Sequence, residues 1–189
     1  MSPLAQPFFE QLYRDDIDPW GYATSPYERA KYQATLAACG PGPFNRALEL
    51  GASIGVFTEL LAPRCRALAA IDGAPTAVAA TRSRLSGLRH VSVICGAIPE
   101  DLPGGQFDLV VASEVLYYLD PDGLMWTCDA LERRTATGSR LVAVHWRTDG
   151  PERPLRADTV HGVLESLPWL EPIFSAPSEG YLLDVFERP

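Results

Sequence analysis

From Asn45 onward, apolar and polar positions follow two rhythms. Short apolar runs at Arg46–Gly51, Ala67–Asp72, Val91–Gly96, Phe107–Ser113 and Arg140–Trp146 have strand length and read as buried strands. Between them, Val56–Arg64, Pro75–Leu85 and Asp122–Arg134 read as amphipathic helices. Strands that alternate with helices in this way predict a mostly parallel sheet covered on both faces. The tail changes rhythm. A helix over Asp158–Leu167 is followed by Leu170–Ser175, a Pro/Ser/Gly turn and Tyr181–Glu187, which predict an antiparallel hairpin at one sheet edge. The expected architecture is α/β: a Rossmann-like three-layer sandwich with a mostly parallel seven-stranded sheet and a C-terminal antiparallel hairpin strand.

Residues 1–44 break this pattern. They are irregular and rich in aromatics and Asp, with one clear helix start at Ser25-Pro26, where proline takes the first helical position. That helix runs to about Cys39 and stops before Gly40-Pro41-Gly42-Pro43, which cannot continue it. The reading is one domain over 1–189: an N-terminal helical cap or lid (1–44) on a core (45–189).

Composition narrows the partners. A chain of 189 residues, 47% hydrophobic, has apolar material for one core. The net charge is −8 and no basic stripe is present, so nucleic acid is not expected, whereas a cationic small molecule is tolerated. No apolar run approaches the ~20 residues of a membrane span. Met1–Asp16 lacks a basic start followed by an apolar stretch, so no secretory leader is expected and the expected location is cytoplasmic. Cys39, Cys65, Cys95 and Cys128 stand singly, with no histidine at metal spacing, which favours reduced thiols and no metal. Nothing in the sequence sets an oligomeric state.

The sharpest motif is Leu48-Glu49-Leu50-Gly51-Ala52-Ser53-Ile54-Gly55, where a strand gives way to a helix. Gly51 permits a tight turn, and Gly55 permits close helix packing with amides facing a ligand. Ser53 stands at the middle position of the fuller GxGxxG pattern. Asp72, closing the second strand, is placed to accept both ribose hydroxyls of a nucleoside lying over the first turn. It could instead cap the helix that follows; the glycine loop upstream favours the ribose. A dinucleotide pyrophosphate would want the complete glycine turn and no carboxylate beside it. Glu49 suits a sulfonium instead, so the cofactor expected is S-adenosylmethionine.

Further candidates lie on the same carboxyl edge. Glu114 would be costly if buried without a partner, so it is expected to meet a cationic substrate or the cofactor. Tyr117 and Tyr118 follow it, one of them expected to be an ordinary core aromatic. His145, Trp146 and Arg147 end the fifth strand; His145 or Glu114 is the candidate base for an ammonium acceptor. His161 reads as a packing or surface residue and His90 as surface. Trp20, Tyr22, Tyr27 and Arg29 are candidates to fold over a cofactor, with cation–π contacts to the sulfonium and Arg29 on its carboxylate.

In order and spacing, Glu49-Leu50-Gly51…Gly55, Asp72, Gly96-Ala97-Ile98 and Phe107–Leu119 resemble the motifs of class I S-adenosylmethionine-dependent methyltransferases. Within that class, Asp18-Pro19-Trp20, Tyr27–Tyr32 and Ser113–Tyr118 are similar to the rhizobial nodulation-protein-S group, which N-methylates the deacetylated amino-sugar end of a chitooligosaccharide. The resemblance implies Glu49 and Gly51 beside the methionine part, Asp72 with Gly73 at the ribose, and Ala97 and Ile98 at the adenine. Many relatives carry Asp where this chain has Ala97. The function expected is methyl transfer to an amine on a small polar acceptor. The alternatives are a small-molecule O-methyltransferase and a non-methylating Rossmann protein such as an NAD-dependent oxidoreductase.

Overall fold

The computed structural model describes residues 5–148, 150, 152–176 and 178–189. Met1–Leu4 of the stretch searched for a leader, and Pro177 of the hairpin turn, lie outside them. Two helices, α1 (Ala5–Asp15) and α2 (Pro26–Cys39), precede the alternating part. Then follow β1 (Ala47–Leu50), α3 (Val56–Leu61), β2 (Leu68–Asp72), α4 (Pro75–Arg84), β3 (Val91–Cys95) and β4 (Phe107–Ser113). The chain ends with α5 (Pro121–Glu132), β5 (Thr135–Trp146), α6 (Ala157–Ser166), β6 (Glu171–Ser175) and β7 (Tyr181–Glu187).

The seven strands form one sheet in the order β3-β2-β1-β4-β5-β7-β6. β1 to β5 run parallel, and β7 and β6 are antiparallel to their neighbours, as the hydrophobic rhythm predicted. Side chains alternate between two cores. Along β4, Val110 and Ala112 pack toward α5 and α6, whereas Leu109 and Val111 pack toward α2 and α3. The winding direction reverses between β1 and β4, and ligands in such sheets bind at that crevice, beyond the strands' carboxyl ends. The register (Leu50 beside Ile71 and Ala112, Ser113 beside Val144) brings Gly51, Asp72 and Glu114 to that one edge. Among the described residues, no helix is long and apolar enough to cross a membrane.

α2 begins as its sequence dictates, with the Ser25 hydroxyl accepting from the Glu28 N–H and Pro26 at the first helical position. α1, by contrast, falls in a stretch read as irregular. Phe9 and Tyr13, one turn apart, pack with Trp20 against Ile54, Ala74 and Ala77. Its polar contacts complete a neighbouring helix. Ala74, at the N-cap of α4, has no side chain to offer. Glu10 fills that role from α1, accepting the Thr76 N–H at 2.9 Å and the Thr76 hydroxyl at 2.8 Å, while Gln6 donates to the Gly73 carbonyl at 2.7 Å.

The Thr76 amide bond is the main reason the Glu10 carboxyl lies below the ordinary glutamate range. The clasp is therefore fully present above that range and is lost as pH falls through the lowered value. Glu10→Ala should raise amide exchange in α1 by roughly fivefold at neutral pH, in line with the loss of one helix cap. Unchanged exchange in α1 would show that the aromatic packing alone holds it.

Candidate active site

The crevice at the reversal is a cleft of about 880 Å3, its open mouth included. Its floor comprises Glu49, Gly51, Ser53, Asp72, Gly73 and Ile98, and the α1–α2 segment contributes Phe9, Tyr13, Trp20 and Tyr22 over it. Phe9 meets Tyr118 edge-on at 4.6 Å between ring centroids, and Trp20 stacks on Tyr22 at 5.5 Å. Among the described residues, the lining holds three carboxylates (Glu49, Asp72 and Glu114) and no Lys, Arg or His. It is a cleft lined by carboxyl groups under an aromatic cover.

The loop after β1 is built for close approach. Gly51 has φ 74°, and a Cβ there would stand 2.9 Å from that of Val115. Gly55 (φ 78°) opens α3, and a Cβ on it would reach 2.7 Å from the Thr81 methyl, so it serves packing and does not line the cleft. Ser53, where a fuller motif would have glycine, is also left-handed, at φ 49°. A side chain in that region costs on the order of 1–2 kcal/mol. Three bonds hold it: its N–H donates to Asp72 Oδ2 (2.8 Å), its carbonyl accepts from the Thr81 hydroxyl (2.6 Å), and its Oγ accepts from Tyr13 (2.6 Å).

Asp72 thus has a structural duty as well as a place in the cleft. Its second oxygen accepts the Ala74 N–H at 2.9 Å. Burial raises its pKa, and the amides of Ala74, Ser53 and Gly73 oppose that shift. Glu49 is the opposite case. It is buried, its Oε2 has no hydrogen-bond partner among the described residues, and burial pushes its carboxyl up to about 8, with Thr58 opposing and Asp72 adding to the effect.

Glu114 also sits in left-handed backbone, at φ 55°, just beyond β4. Strain of this kind persists where surrounding contacts over-determine it. Here Oε1 meets Lys31 Nζ at 2.6 Å, and Oε2 accepts from the Trp146 N–H (2.9 Å) and from the Tyr117 hydroxyl. The sequence reading expected a ligand cation as Glu114's partner; the structure supplies Lys31 from α2 instead. Lys31, the only lysine in the sequence, also pairs with Glu28 at 2.9 Å. Burial works against its ammonium, but Glu114 and Glu28 outweigh that and hold its pKa above the ordinary lysine value.

His145 is corrected as a candidate base. It is fully buried, does not line the cleft, and its Nε2 accepts the Leu116 N–H at 3.2 Å. A ring nitrogen so engaged offers no lone pair to a substrate. Of the residues expected at the acceptor, Tyr118 lines the cleft, whereas Tyr117 lies buried behind it. Trp146 and Arg147 border a separate surface depression with Arg153 and Ala157. Of the expected cofactor contacts, Trp20, Glu49, Gly51, Asp72, Gly73 and Ile98 line the cleft. Ala97 does not; its N–H is turned to Asp101 at 2.8 Å. Arg29 is exposed on the outer face of α2, because the helix buries Glu28, Lys31, Tyr32, Thr35, Leu36 and Cys39. Lys31, Phe9 and Tyr13 were missed. Helical spacing did not mark Lys31: Arg29, seven positions before Leu36, lies nearer that residue's side of the helix.

Residues 8–132 match the family model for nodulation protein S (NodS). Nodulation protein S of Rhizobium tropici is 38% identical over 125 residues, 66% of this chain and 49% of the relative, so the chain spans about half the length of the curated relatives it matches. The crystal structure of the N-methyltransferase NodS from Bradyrhizobium japonicum WM9, solved with S-adenosyl-L-homocysteine, superposes with TM-score 0.86 at 28% identity, covering 98% of this chain and 99% of that one. A 1,6-didemethyltoxoflavin-N1-methyltransferase from Burkholderia thailandensis shares the fold, with TM-score 0.75 at 17% identity over 97% of this chain and 86% of that one. With two thirds of its length under the family model, the chain belongs to the nodulation protein S family.

Proposed function

We propose that this protein transfers a methyl group from S-adenosylmethionine to an amine of a small polar acceptor, an amino sugar or a related metabolite. The observation that carries this reading is the cleft's lining: three carboxyl groups and no Lys, Arg or His among its described residues, beneath aromatic rings. Such a lining disfavours a dinucleotide's pyrophosphate and suits a ligand bearing a sulfonium and an ammonium. The unpartnered Glu49 Oε2 fits such a ligand, since a buried carboxylate oxygen without a partner is expensive until a cation or donor arrives. Membership of the NodS family, with the Bradyrhizobium relative titled an N-methyltransferase, supports the choice of nitrogen.

When bound, S-adenosylmethionine supplies a methyl group already activated on sulfur. The chain's residues then have to align the acceptor and keep water out. Asp72 and the Gly51–Ser53 loop would hold the nucleoside, Ile98 would pack against the base, and Phe9, Trp20 and Tyr118 would cover the reacting end. Glu114, held by Lys31, Tyr117 and the Trp146 amide, would orient an acceptor amine at the edge of the cleft. A labelled-methyl assay with a fully deacetylated chitooligosaccharide should show nitrogen-linked label. Label found exclusively on hydroxyl or carboxyl groups of test acceptors would overturn the amine assignment.

Glu49 provides an independent check. With its carboxyl near pKa 8, it is mostly protonated at pH 7 and must ionise to meet the cationic cofactor. Calorimetric titration of S-adenosylmethionine should therefore release roughly one proton at pH 7 and almost none at pH 9, with affinity rising toward alkaline pH until about 8. Glu49→Gln should abolish the proton release. Binding heats that do not depend on the buffer's ionisation enthalpy would show that Glu49 does not meet the cofactor's charge.

A further inference from the structure

Behind the cleft, three buried side chains from three elements form a chain of hydrogen bonds. His145 Nδ1 of β5 lies 3.0 Å from His161 Nε2 of α6, and His161 Nδ1 lies 2.5 Å from Asp184 Oδ2 of β7. At the other end, His145 Nε2 accepts the backbone N–H of Leu116. All three side chains are nearly inaccessible to water.

The bond order admits one placement of protons. Because Nε2 of His145 accepts from an amide, that ring's proton is on Nδ1, where it donates to His161 Nε2. His161 must then carry its own proton on Nδ1, donating to the Asp184 carboxylate. An extra proton on either ring would set two donors against each other and break a link. We infer that His145 and His161 are positioning residues: together with Asp184 they hold the Leu116 amide, and so fix the segment 114–119 that presents Glu114 and Tyr118 to the cleft.

The surroundings agree. His145 faces His161 from α6 and the Tyr117 ring at 5.0 Å, and it feels the positive charges of Lys31 on α2 and Arg153; Asp184 lies one link further on. Burial is the largest cause, and His161 the next, holding His145 well below the ordinary histidine range. The chain therefore stays intact at neutral pH and fails on the acid side, releasing the segment.

The decisive test uses the full chain with labelled histidines. It has three histidines, so long-range proton–nitrogen NMR resolves each ring once the His145 and His161 variants identify their signals. His145 and His161 should both be Nδ1–H tautomers at pH 7; finding His145 as Nε2–H or as imidazolium overturns the proposal. This readout needs no turnover, so it stands apart from the methyl-transfer reading on which the kinetic role rests. With S-adenosylmethionine and deacetylated chitooligosaccharide as probes, His145→Leu should lower kcat by roughly 10- to 100-fold. Affinity for S-adenosylhomocysteine should stay within about threefold, since the cofactor end of the cleft does not touch this chain. His145→Gln, whose amide oxygen can accept from Leu116, should recover most of kcat and lose the acid limb of the wild-type pH profile. If both variants lose cofactor affinity in step with turnover, or if His145→Leu keeps kcat, the positioning role is refuted. Should His145→Leu not fold, the loss of kcat is read from His161→Leu instead, and retained kcat there refutes the role, while His145→Gln keeps its own expected recovery.

Discussion

Lys31→Met should be the most damaging single substitution outside the apolar core. It removes the ammonium that Glu114 contacts at 2.6 Å and Glu28 at 2.9 Å, and leaves both carboxylates in a region where Lys31 is only 3% exposed. Breaking a buried pair from one side typically costs 3–5 kcal/mol, because the remaining charge has lost its compensation without regaining water. At the lower end of that range, a chain of this size should melt roughly 6–12 °C lower. The cause can be separated from lost packing. Adding Glu114→Gln to Lys31→Met removes one of the two orphaned charges, so the double variant should melt above the single one. Turnover should stay low in both, because Glu114 would no longer be held at the cleft. A melting temperature for Lys31→Met within about 2 °C of the wild type would mean the cluster is far better solvated than its burial indicates.

The same cluster shows what a sequence makes readable and what it hides. The alternation of strands and helices is local, carried by runs of a few residues, and the Glu49–Gly55 turn and Asp72 announce themselves by position in that rhythm. These signals led to the right sheet, the right edge and the floor of the cleft. Partnerships across the sheet leave no local mark. Lys31 and Glu114 are 83 positions apart, and His145, His161 and Asp184 come from three elements. Each looked like an isolated polar residue, so Glu114 was read without its protein partner Lys31 and His145 was given a catalytic duty. Both assignments rested on a valid rule, that buried polar groups need partners, and the partners were within the protein. α1 was overlooked for another reason: a Pro in its first turn and the Asp-rich stretch after it read as irregular, although Phe9 and Tyr13 already had helical spacing. Ser53 shows how a departure from a motif is accommodated. The left-handed turn is kept, and Asp72, Thr81 and Tyr13 supply the bonds that hold a non-glycine residue there.

Asp72→Ala should weaken S-adenosylhomocysteine binding on the order of 100-fold, which corresponds to about 2.7 kcal/mol. Two losses combine. The Ser53 and Ala74 amides, now 2.8 and 2.9 Å from a carboxylate, would have no acceptor, and bonds to a charged partner are each worth about 1.5–3 kcal/mol. The ribose hydroxyls would lose theirs as well. A cofactor analogue lacking both ribose hydroxyls distinguishes the two: if Asp72 holds the sugar, the analogue should bind wild type poorly and lose much less on substitution. If it serves only to shape the Ser53 turn, both ligands should weaken by the same factor. Asp72→Asn should fall between, because one oxygen remains as an acceptor while the amide group presents donors to a backbone N–H. Affinity unchanged in Asp72→Ala would place the nucleoside elsewhere and remove the basis for reading the cleft as a cofactor site, since the carboxylate at the tip of β2 is the group that ties the turn to its ligand.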